Sequence, residues 1–273
     1  MNNPNAINSE NKSELLHIAI TRPLPQGKQL QQKLQAAGFA SICEPLFTFT
    51  SNTDKPKITQ LLKQNTPSAF IFVSSAAVSF AEQAFPIAQW QQQYPQASFF
   101  AVGDTTKSAL LCCHIKEVIS PEPQNSEGLL ALAQLQQVAD QHIIIVRGDH
   151  GREHLATQLI ARGAKVEYLA SYQKIWLQFN NNELVQRWQN SQINCIVVTS
   201  VAILKKTVQL LSANLSEHSK QHWQNNYYWL VAGERIAAQA QQLQLQNIIV
   251  AANASDQAII TSIRQLNSKM LAQ

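Results

Sequence analysis

The sequence predicts an α/β fold of two similar domains, each a parallel sheet flanked by helices. Three observations predict it: the length of 273 residues, the alternation of short β-branched runs with helically spaced apolar residues, and a long internal repeat. A chain of this length exceeds one ordinary core, so we expect two cores of about 120 residues each. Strand-like runs that alternate with helical segments are typical of parallel sheets, and we expect about five parallel strands in each sheet.

The first part of the repeat is visible when IAITRPLPQGKQLQQKLQAAGF is aligned with IIVRGDHGREHLATQLIARGAK. Arg22 then falls on Arg147 and Gly38 on Gly163, with the same offset of 125 residues (147 − 22 and 163 − 38). Each copy predicts a strand, a polar turn, and a helix that ends at a glycine, where a left-handed residue without Cβ is favoured.

Three further blocks repeat downstream in the same order. FIFVSSAAV aligns with CIVVTSVAIL, FAVGDTTKSAL with WLVAGERIAAQA, and SEGLLALAQL with SDQAIITSIRQL. The aligned pairs are Ser74 with Ser200, Gly103 with Gly233, and Ser126 with Ser255. Because this period is far longer than the repeat of a solenoid, it indicates a duplicated α/β domain.

Polar residues and glycines follow the predicted strands at equivalent places in both copies. Ligands of open parallel sheets bind beyond the carboxyl ends of the strands, where helix N-termini expose backbone donors. We therefore expect these residues to face one cleft. They are Arg22, Ser74, Ser75, Gly103, Arg147, Ser200 and Gly233. The serines also suit helix N-caps, a role that is compatible with carboxylate binding.

The composition narrows the class of protein. Hydrophobic residues make up 45% and charged residues 14%, which is typical of a folded globular chain. Membrane helices and a secretory signal are not expected, because the apolar runs are strand-sized and the N-terminus lacks an apolar core. Without paired CxxC spacing, we expect Cys43, Cys112, Cys113 and Cys195 to be reduced core residues, which favours the cytoplasm. The net charge of +4, without basic clusters, favours a small polyanionic ligand over nucleic acid.

Common cofactor and nucleophile motifs are missing from the sequence. VGDTT lacks the spacing and the lysine of a phosphate loop, and there is no GxGxxG fingerprint. The pairs His150 with His154 and His218 with His222 do not match HExxH, so we interpret them as surface histidines. No GxSxG elbow presents a nucleophilic serine. The sequence therefore predicts no nucleotide, no metal and no covalent serine chemistry.

Tyr172, in ASYQK, follows the last strand of the second strand–helix–strand copy. Its ring could pack at the boundary of a core with the hydroxyl in water. A phenol at this position could equally take part in chemistry. The residues alone leave both interpretations open.

Nine motifs in order resemble the uroporphyrinogen-III synthases: TRP, FVSSAAV, AVGDTT, SEGLL, VRGDHGRE, YLASYQK, VVTSVAIL, VAGER and SDQAI. Together they span about residues 16 to 266. The resemblance implies two flavodoxin-like domains joined by a two-stranded connector, with the substrate in the cleft between them. After a disordered tail of residues 1–13, residues 14–45 would fold with 174–273, and residues 46–173 would form the second domain.

The resemblance also implies an activity without a cofactor. Such enzymes close hydroxymethylbilane, a linear tetrapyrrole with eight carboxylates, to uroporphyrinogen III, with inversion of ring D and loss of water. Tyr172 is similar to the family tyrosine that assists the departing hydroxyl. The residues that match family cleft positions are Ser74, Thr106, Arg152 and Ser200. Ile236 stands where the second copy commonly has a threonine, which argues against a symmetric mechanism with two threonines.

A protein of another class could share this architecture. A two-domain binding protein for small anions, without chemistry, would have the same duplicated sheets and connector. Tyr172 beside the connector favours the enzyme, because a pure binder has no need of it. We therefore expect a monomeric, cytoplasmic lyase that acts on a small molecule.

Overall fold

The structure is a computed structural model that describes residues 16–52, 55–64, 66–151, 153–212 and 223–272. The expected tail of residues 1–13 and the pair His218 and His222 lie outside these ranges. The chain forms two compact units. The first unit contains the described residues up to Thr48 together with those from Trp176 onward, and the second unit is Phe49–Ile175. Within the described ranges, no helix combines the length and the apolar character that a membrane crossing requires.

Short strands alternate with helices along the chain. The strands are β1 (His17–Ile20), β2 (Ala40–Cys43), β3 (Phe47–Ser51), β4 (Ala69–Phe72), β5 (Ser98–Ala101), β6 (His142–Gly148), β7 (Lys165–Trp176), β8 (Cys195–Val198), β9 (Tyr228–Val231) and β10 (Asn247–Val250). The helices are α1 (Gln26–Ala36), α2 (Lys55–Gln64), α3 (Ser75–Ala84), α4 (Ile87–Gln93), α5 (Asp104–Cys112), α6 (Ser126–Ala131), α7 (His154–Ala161), α8 (Asn181–Asn190), α9 (Val201–Ser212), α10 (Glu234–Gln242) and α11 (Asp256–Leu271).

The sheet of the first unit has the order β2-β1-β8-β9-β10, and all neighbouring strands are parallel. Counted along the unit, this is the order 2-1-3-4-5 of flavodoxin-like sheets. Ile18 and Val197 of the central strands pack with Leu30 of α1 and Ile263 of α11 in one buried cluster. Strands buried on both faces explain why the sequence shows continuous apolar runs here instead of alternation.

The sheet of the second unit has the order β3-β7-β6-β4-β5, in which β7, β6, β4 and β5 are parallel neighbours. β3 is antiparallel to β7, because Asn52 N donates to Ser171 O while Leu177 N donates to Leu46 O. The expectation of five parallel strands is therefore wrong for this sheet. The chain enters the unit along β3 and leaves it along the neighbouring β7, so these two strands run in opposite directions.

The internal repeat corresponds to equivalent strands of the two sheets. In order across the sheet, β2-β1-β8-β9 matches β7-β6-β4-β5. Ile119 bridges Phe100 of β5 in parallel, where the first sheet has β10 beside β9. Gly38 and Gly163 follow α1 and α7 with φ of 85° and 88°, which confirms the left-handed helix ends expected from the sequence.

The cysteines differ in burial. All four carry free thiols; Cys195 is buried, while Cys43 and Cys113 are half-buried. Cys112 is exposed, so the expectation that all four lie in the core is wrong for this residue. The buried face of α5 is set by Thr106 and Leu110, and Cys112 lies on another face of the helix.

Candidate active site

A cavity of about 320 Å³ lies within the second unit, at the carboxyl ends of β4, β5 and β6 and beside β7. Its wall contains apolar side chains such as Val73, Ile145 and Leu155. The polar groups of the lining include Ser74, Asn125, Ser126, Arg147, Tyr168 and Tyr172. This position is where open parallel sheets bind their ligands.

An irregularity in the sheet places Tyr172 in the cavity wall. Arg147 of β6 pairs with Ala170 of β7, but the next residue, Gly148, pairs with Tyr172. β7 therefore carries an extra residue at this point, and such bulges re-aim the side chains that follow them. Tyr172 consequently packs on the same core as Leu169, in spite of the odd spacing between them.

The ring of Tyr172 is held from three sides. It meets Phe49 edge-on at 4.9 Å between centroids and packs against Phe80 at 5.5 Å. A Cβ added to Gly148 would lie 2.7 Å from the ring, so the glycine permits this close approach. The Tyr172 hydroxyl lies 3.4 Å from Ser74 Oγ. The ring is thus packed, and the hydroxyl lies beside another polar group of the lining.

Ser74 and Ser200 are helix N-caps, as the sequence predicts. Ser74 Oγ accepts from Ala77 N at 3.1 Å at the start of α3, and Ser200 Oγ accepts from Ile203 N at 3.2 Å at the start of α9. Ser75 is the first residue of α3. The cap gives Ser74 a fixed side-chain position next to Tyr172.

Arg147 is a nearly buried cation in the wall of the cavity, with 6% of the residue exposed. Its Nη1 lies 3.1 Å from Glu153 Oε1, and its Nε donates to Gly148 O at 3.2 Å. The guanidinium carbon also lies 4.4 Å from the centroid of the Tyr168 ring. A buried charge requires such partners, because burial without them is strongly unfavourable.

Glu153 links Arg147 to Tyr168. The Tyr168 hydroxyl donates to Glu153 Oε2, while Arg147 donates to Oε1. The hydrogen bonds from Tyr168 and then Arg147 lower the pKa of the Glu153 carboxyl. Burial, followed by the hydrogen bond to Glu153, raises the pKa of Tyr168. The cluster therefore contains a cation, a carboxylate and a neutral phenol at neutral pH.

Four polar residues of the lining were not among the sequence candidates: Asn125, Ser126, His150 and Tyr168. Asn125 caps α6, where its Oδ1 accepts from Gly128 N at 2.7 Å. An asparagine just before a helical segment is a recognisable N-cap signal. Tyr168 stands four residues before Tyr172, but the bulge between them breaks the alternation of the strand, so no spacing in the sequence points to Tyr168.

Of the sequence candidates, the cavity brings together Ser74, Arg147 and Tyr172. Gly103 precedes α5 in an extended conformation, beside the Gln124 side chain that accepts from Asp104 N. Thr106, in the first turn of α5, is 3% exposed. Its counterpart Ile236 in α10 is also 3% exposed, so both residues are buried. Arg152 lies outside the described residues.

The remaining candidates belong to the first unit, where Arg22 donates hydrogen bonds to a carboxylate and to a backbone carbonyl. Its Nη1 donates to Asp256 Oδ1 at 2.7 Å and its Nη2 to Ala254 O. Lys33 donates to the other oxygen of Asp256, also at 2.7 Å. Gly233 precedes α10 with φ of 109°, a conformation that favours glycine.

The Asp256 contacts predict a pH-dependent contribution to stability. Burial raises the pKa of Asp256, but the hydrogen bonds from Lys33 and Arg22 outweigh this effect and hold the pKa below its usual value. We expect Asp256→Asn to lower the free energy of unfolding by about 1 to 2 kcal/mol at neutral pH, measured by urea denaturation. The lowered pKa means that this difference shrinks as the pH falls below about 4.

A control for this variant is Asp140→Asn, which removes an exposed carboxylate from a left-handed turn residue that asparagine tolerates. Its free energy of unfolding should change by less than about 0.5 kcal/mol. Equal losses in the two variants, or a loss in Asp256→Asn that persists unchanged into strong acid, would contradict the assigned role of Asp256.

Among the described residues, no group of three or more His, Cys, Asp or Glu side chains is placed to hold a metal ion.

Comparison with known proteins identifies a family. The family model described as "Uroporphyrinogen-III synthase HemD" matches residues 28–261. The uroporphyrinogen-III synthase of Escherichia coli K12 is 31% identical, over 91% of this chain and 100% of the relative. That of Salmonella typhimurium is 33% identical, over 91% of this chain and again all of the relative.

Two solved structures share the fold. Uroporphyrinogen-III synthetase from Helicobacter pylori matches with a TM-score of 0.60 at 14% identity, over 92% of this chain and 100% of that chain. A mutant uroporphyrinogen III synthase from the extremely thermophilic bacterium Thermus thermophilus matches with a TM-score of 0.59 at 14% identity, over 93% of this chain and 99% of that one. At this identity the likeness supports the fold alone.

Proposed function

The chain belongs to the uroporphyrinogen-III synthase family, and we propose that it closes hydroxymethylbilane to uroporphyrinogen III with inversion of ring D and loss of water. It is a cyclising lyase of tetrapyrrole biosynthesis. The alternative of a binding protein without chemistry is not favoured, because the chain matches the whole length of two relatives that are named as enzymes.

One observation carries the assignment of the reacting groups: the Tyr172 hydroxyl lies beside Ser74 in a cavity that also contains Arg147. A neutral phenol can donate a proton to a departing hydroxyl, and a guanidinium can bind a carboxylate. The helix N-terminus behind Ser74 adds a favourable field for an anion. These groups match the needs of a polycarboxylate that must lose water.

We assign the proton transfers as follows. Tyr172 donates its proton to the terminal hydroxyl of the substrate, the C–O bond breaks, and water and an azafulvene cation form. The substituted α-carbon of ring D attacks this cation to give a spiro intermediate. The bond between that carbon and the methylene bridge to ring C then breaks, and the bridge bonds instead to the free α-carbon of ring D. The ring carbon then loses a proton, which restores the phenol of Tyr172. The protein contributes positioning and electrostatic stabilisation.

The other candidates from the sequence remain proposals for further carboxylate contacts. They are Arg22, Ser75, Gly103, Thr106, Arg152, Ser200 and Gly233. Arg152 lies outside the described residues; the others share a place at or near the end of a strand, where hydroxyl and backbone donors are concentrated.

The activity is tested by following the loss of hydroxymethylbilane with protein that has been treated exhaustively with a chelator and dialysed. We expect acceleration over the protein-free reaction without added metal or nucleotide. A protein that only binds the substrate would give no acceleration. Loss of activity on chelation and its recovery with zinc would contradict the proposal of a cofactor-free enzyme.

We also propose that the enzyme acts as a monomer in the cytoplasm. Free thiols on all four cysteines are the usual state in a reducing compartment. Sedimentation velocity is expected to show one species near 30.4 kDa. A stable dimer at micromolar concentration would contradict the monomer.

A further inference from the structure

We propose above that Arg147 binds a carboxylate of the substrate. In this structure the carboxylate of Glu153 already binds Arg147. The Arg147 side chain is 8% exposed, whereas that of Glu153 is 65% exposed. Glu153 is the residue immediately before α7, on the loop that follows β6. An exposed loop side chain therefore supplies the charge partner of a nearly buried cation in the cavity wall.

This ion pair is easily exchanged. Pairs with a solvated partner contribute little to stability, because water screens the charges and competes for both groups. The guanidinium has two other anchors, the Gly148 carbonyl and the face of the Tyr168 ring. These anchors keep Arg147 in place when the carboxylate of Glu153 leaves, provided that another anion takes its place.

The equivalent arginine of the repeat shows the contrasting case. Arg22 is paired with Asp256, whose side chain is 20% exposed and whose second oxygen binds Lys33. Arg22 also donates to the Ala254 carbonyl. The ion pair of Arg22 and Asp256 is therefore stabilised by a second cation, Lys33, and by a backbone contact. Of the two equivalent arginines, Arg147 is therefore the one that combines a place in a cavity wall with a carboxylate that is 65% exposed and whose second oxygen accepts from a phenol, not from a second cation.

We propose that Glu153 is a stand-in for the substrate, in the sense that its carboxylate pairs with Arg147 in the free enzyme. When the tetrapyrrole binds, one of its carboxylates displaces Glu153 from Arg147. This inference rests on the proposed function. One carboxylate replaces another, so the buried cation is paired throughout. Glu153 is then a positioning residue that acts through Arg147. It sets the affinity for substrate, because each substrate molecule competes with it.

The test uses Glu153→Gln, which keeps the shape of the side chain and removes its charge. We expect the KM for hydroxymethylbilane to fall about threefold to fivefold, as one exposed charge pair is lost. The kcat should change by less than about twofold, because Glu153 takes no part in bond breaking. The dissociation constant of uroporphyrin III, an octacarboxylate measured by fluorescence titration, should fall by a similar factor.

The matched control is Asp149→Asn, which removes the same charge from the same loop. Its carboxylate accepts from Lys174 N, and His150 Nε2 lies 3.7 Å away. General repulsion of a polyanion would affect both variants alike, whereas displacement from Arg147 involves Glu153 alone. We expect the KM of Asp149→Asn to change by less than half as much as that of Glu153→Gln.

A second variant, Tyr168→Phe, removes the hydroxyl that holds Glu153 and keeps the ring beneath Arg147. We expect KM to fall by about twofold, and Tyr168→Phe should add nothing in the Glu153→Gln background. If Glu153→Gln failed to fold, Tyr168→Phe would carry the test alone.

An unchanged or raised KM in a folded Glu153→Gln protein, or an equal fall in Asp149→Asn, would overturn the inference. If the wild-type protein did not accelerate the reaction, the proposed function would fail, and the uroporphyrin titration would still decide the role of Glu153. Tighter binding in Glu153→Gln alone would then support the stand-in.

Discussion

Replacement of Tyr172 by phenylalanine is expected to lower turnover by at least about tenfold, because a positioned general acid contributes about 10² to 10⁴ in rate. The ring keeps its contacts with Phe49 and Phe80, so the fold should be retained. Hydroxymethylbilane that is not processed by the enzyme closes without inversion to the type I isomer. The products of the variant should therefore shift towards type I, as measured by chromatography of the oxidised porphyrins.

The matched control is Tyr94→Phe in the same unit. The Tyr94 hydroxyl donates to the Leu62 carbonyl in the core. Its removal should cost about 1 to 3 kcal/mol of stability by leaving a buried acceptor unpaired, with turnover unchanged. Full turnover in Tyr172→Phe would mean that the hydroxyl has no chemical role and that backbone donors or substrate carboxylates drive the loss of water.

Substitution of Gly148 by alanine is expected to lower turnover by at least about tenfold, although it leaves every proposed reacting group chemically unchanged. The added Cβ would lie 2.7 Å from the Tyr172 ring and 3.2 Å from its hydroxyl, so the ring must move. A displacement of about 1 Å at a catalytic group can cost about 10² in rate. The free energy of unfolding should fall by about 1 to 3 kcal/mol, the usual cost of overpacking.

Two comparisons separate displacement of Tyr172 from general damage. Gly38→Ala places a Cβ in open space at a left-handed helix end, so it should cost about 1 kcal/mol of stability and leave turnover intact. In the Tyr172→Phe background, Gly148→Ala should lower turnover little further, because both changes act on the same hydroxyl. Independent, multiplicative losses would show that Gly148 matters for another reason.

The sequence was sufficient to predict the duplicated α/β architecture, because the repeat contains the strand, the helix and the terminal glycine of each copy. Gly38 and Gly163 are the clearest cases, since their positive φ follows from one rule about helix ends. The direction of β3 could not be predicted in this way. It depends on how the chain passes between the units, which no local periodicity records.

The cavity was only partly predictable. Ser74 follows from its place after a strand. Arg147 and Tyr172 were also expected just after strands, which is wrong, because they lie within β6 and β7. Tyr172 was suggested in addition by the resemblance. The link between Glu153 and Tyr168 joins a loop to the middle of a strand 15 residues away. It depends on packing that sequence spacing does not express. The bulge that re-aims Tyr172 likewise arises from how β7 pairs with β6, which the sequence of β7 alone does not record.

The most direct test of the proposed uroporphyrinogen-III synthase activity is the isomer composition of the product. Purified protein, incubated with freshly prepared hydroxymethylbilane under anaerobic conditions, is followed by oxidation and chromatographic separation of the type I and type III porphyrins. We expect type III to predominate and its fraction to rise with enzyme concentration, while the protein-free reaction gives type I. A product that stays type I at every enzyme concentration would contradict the proposed activity.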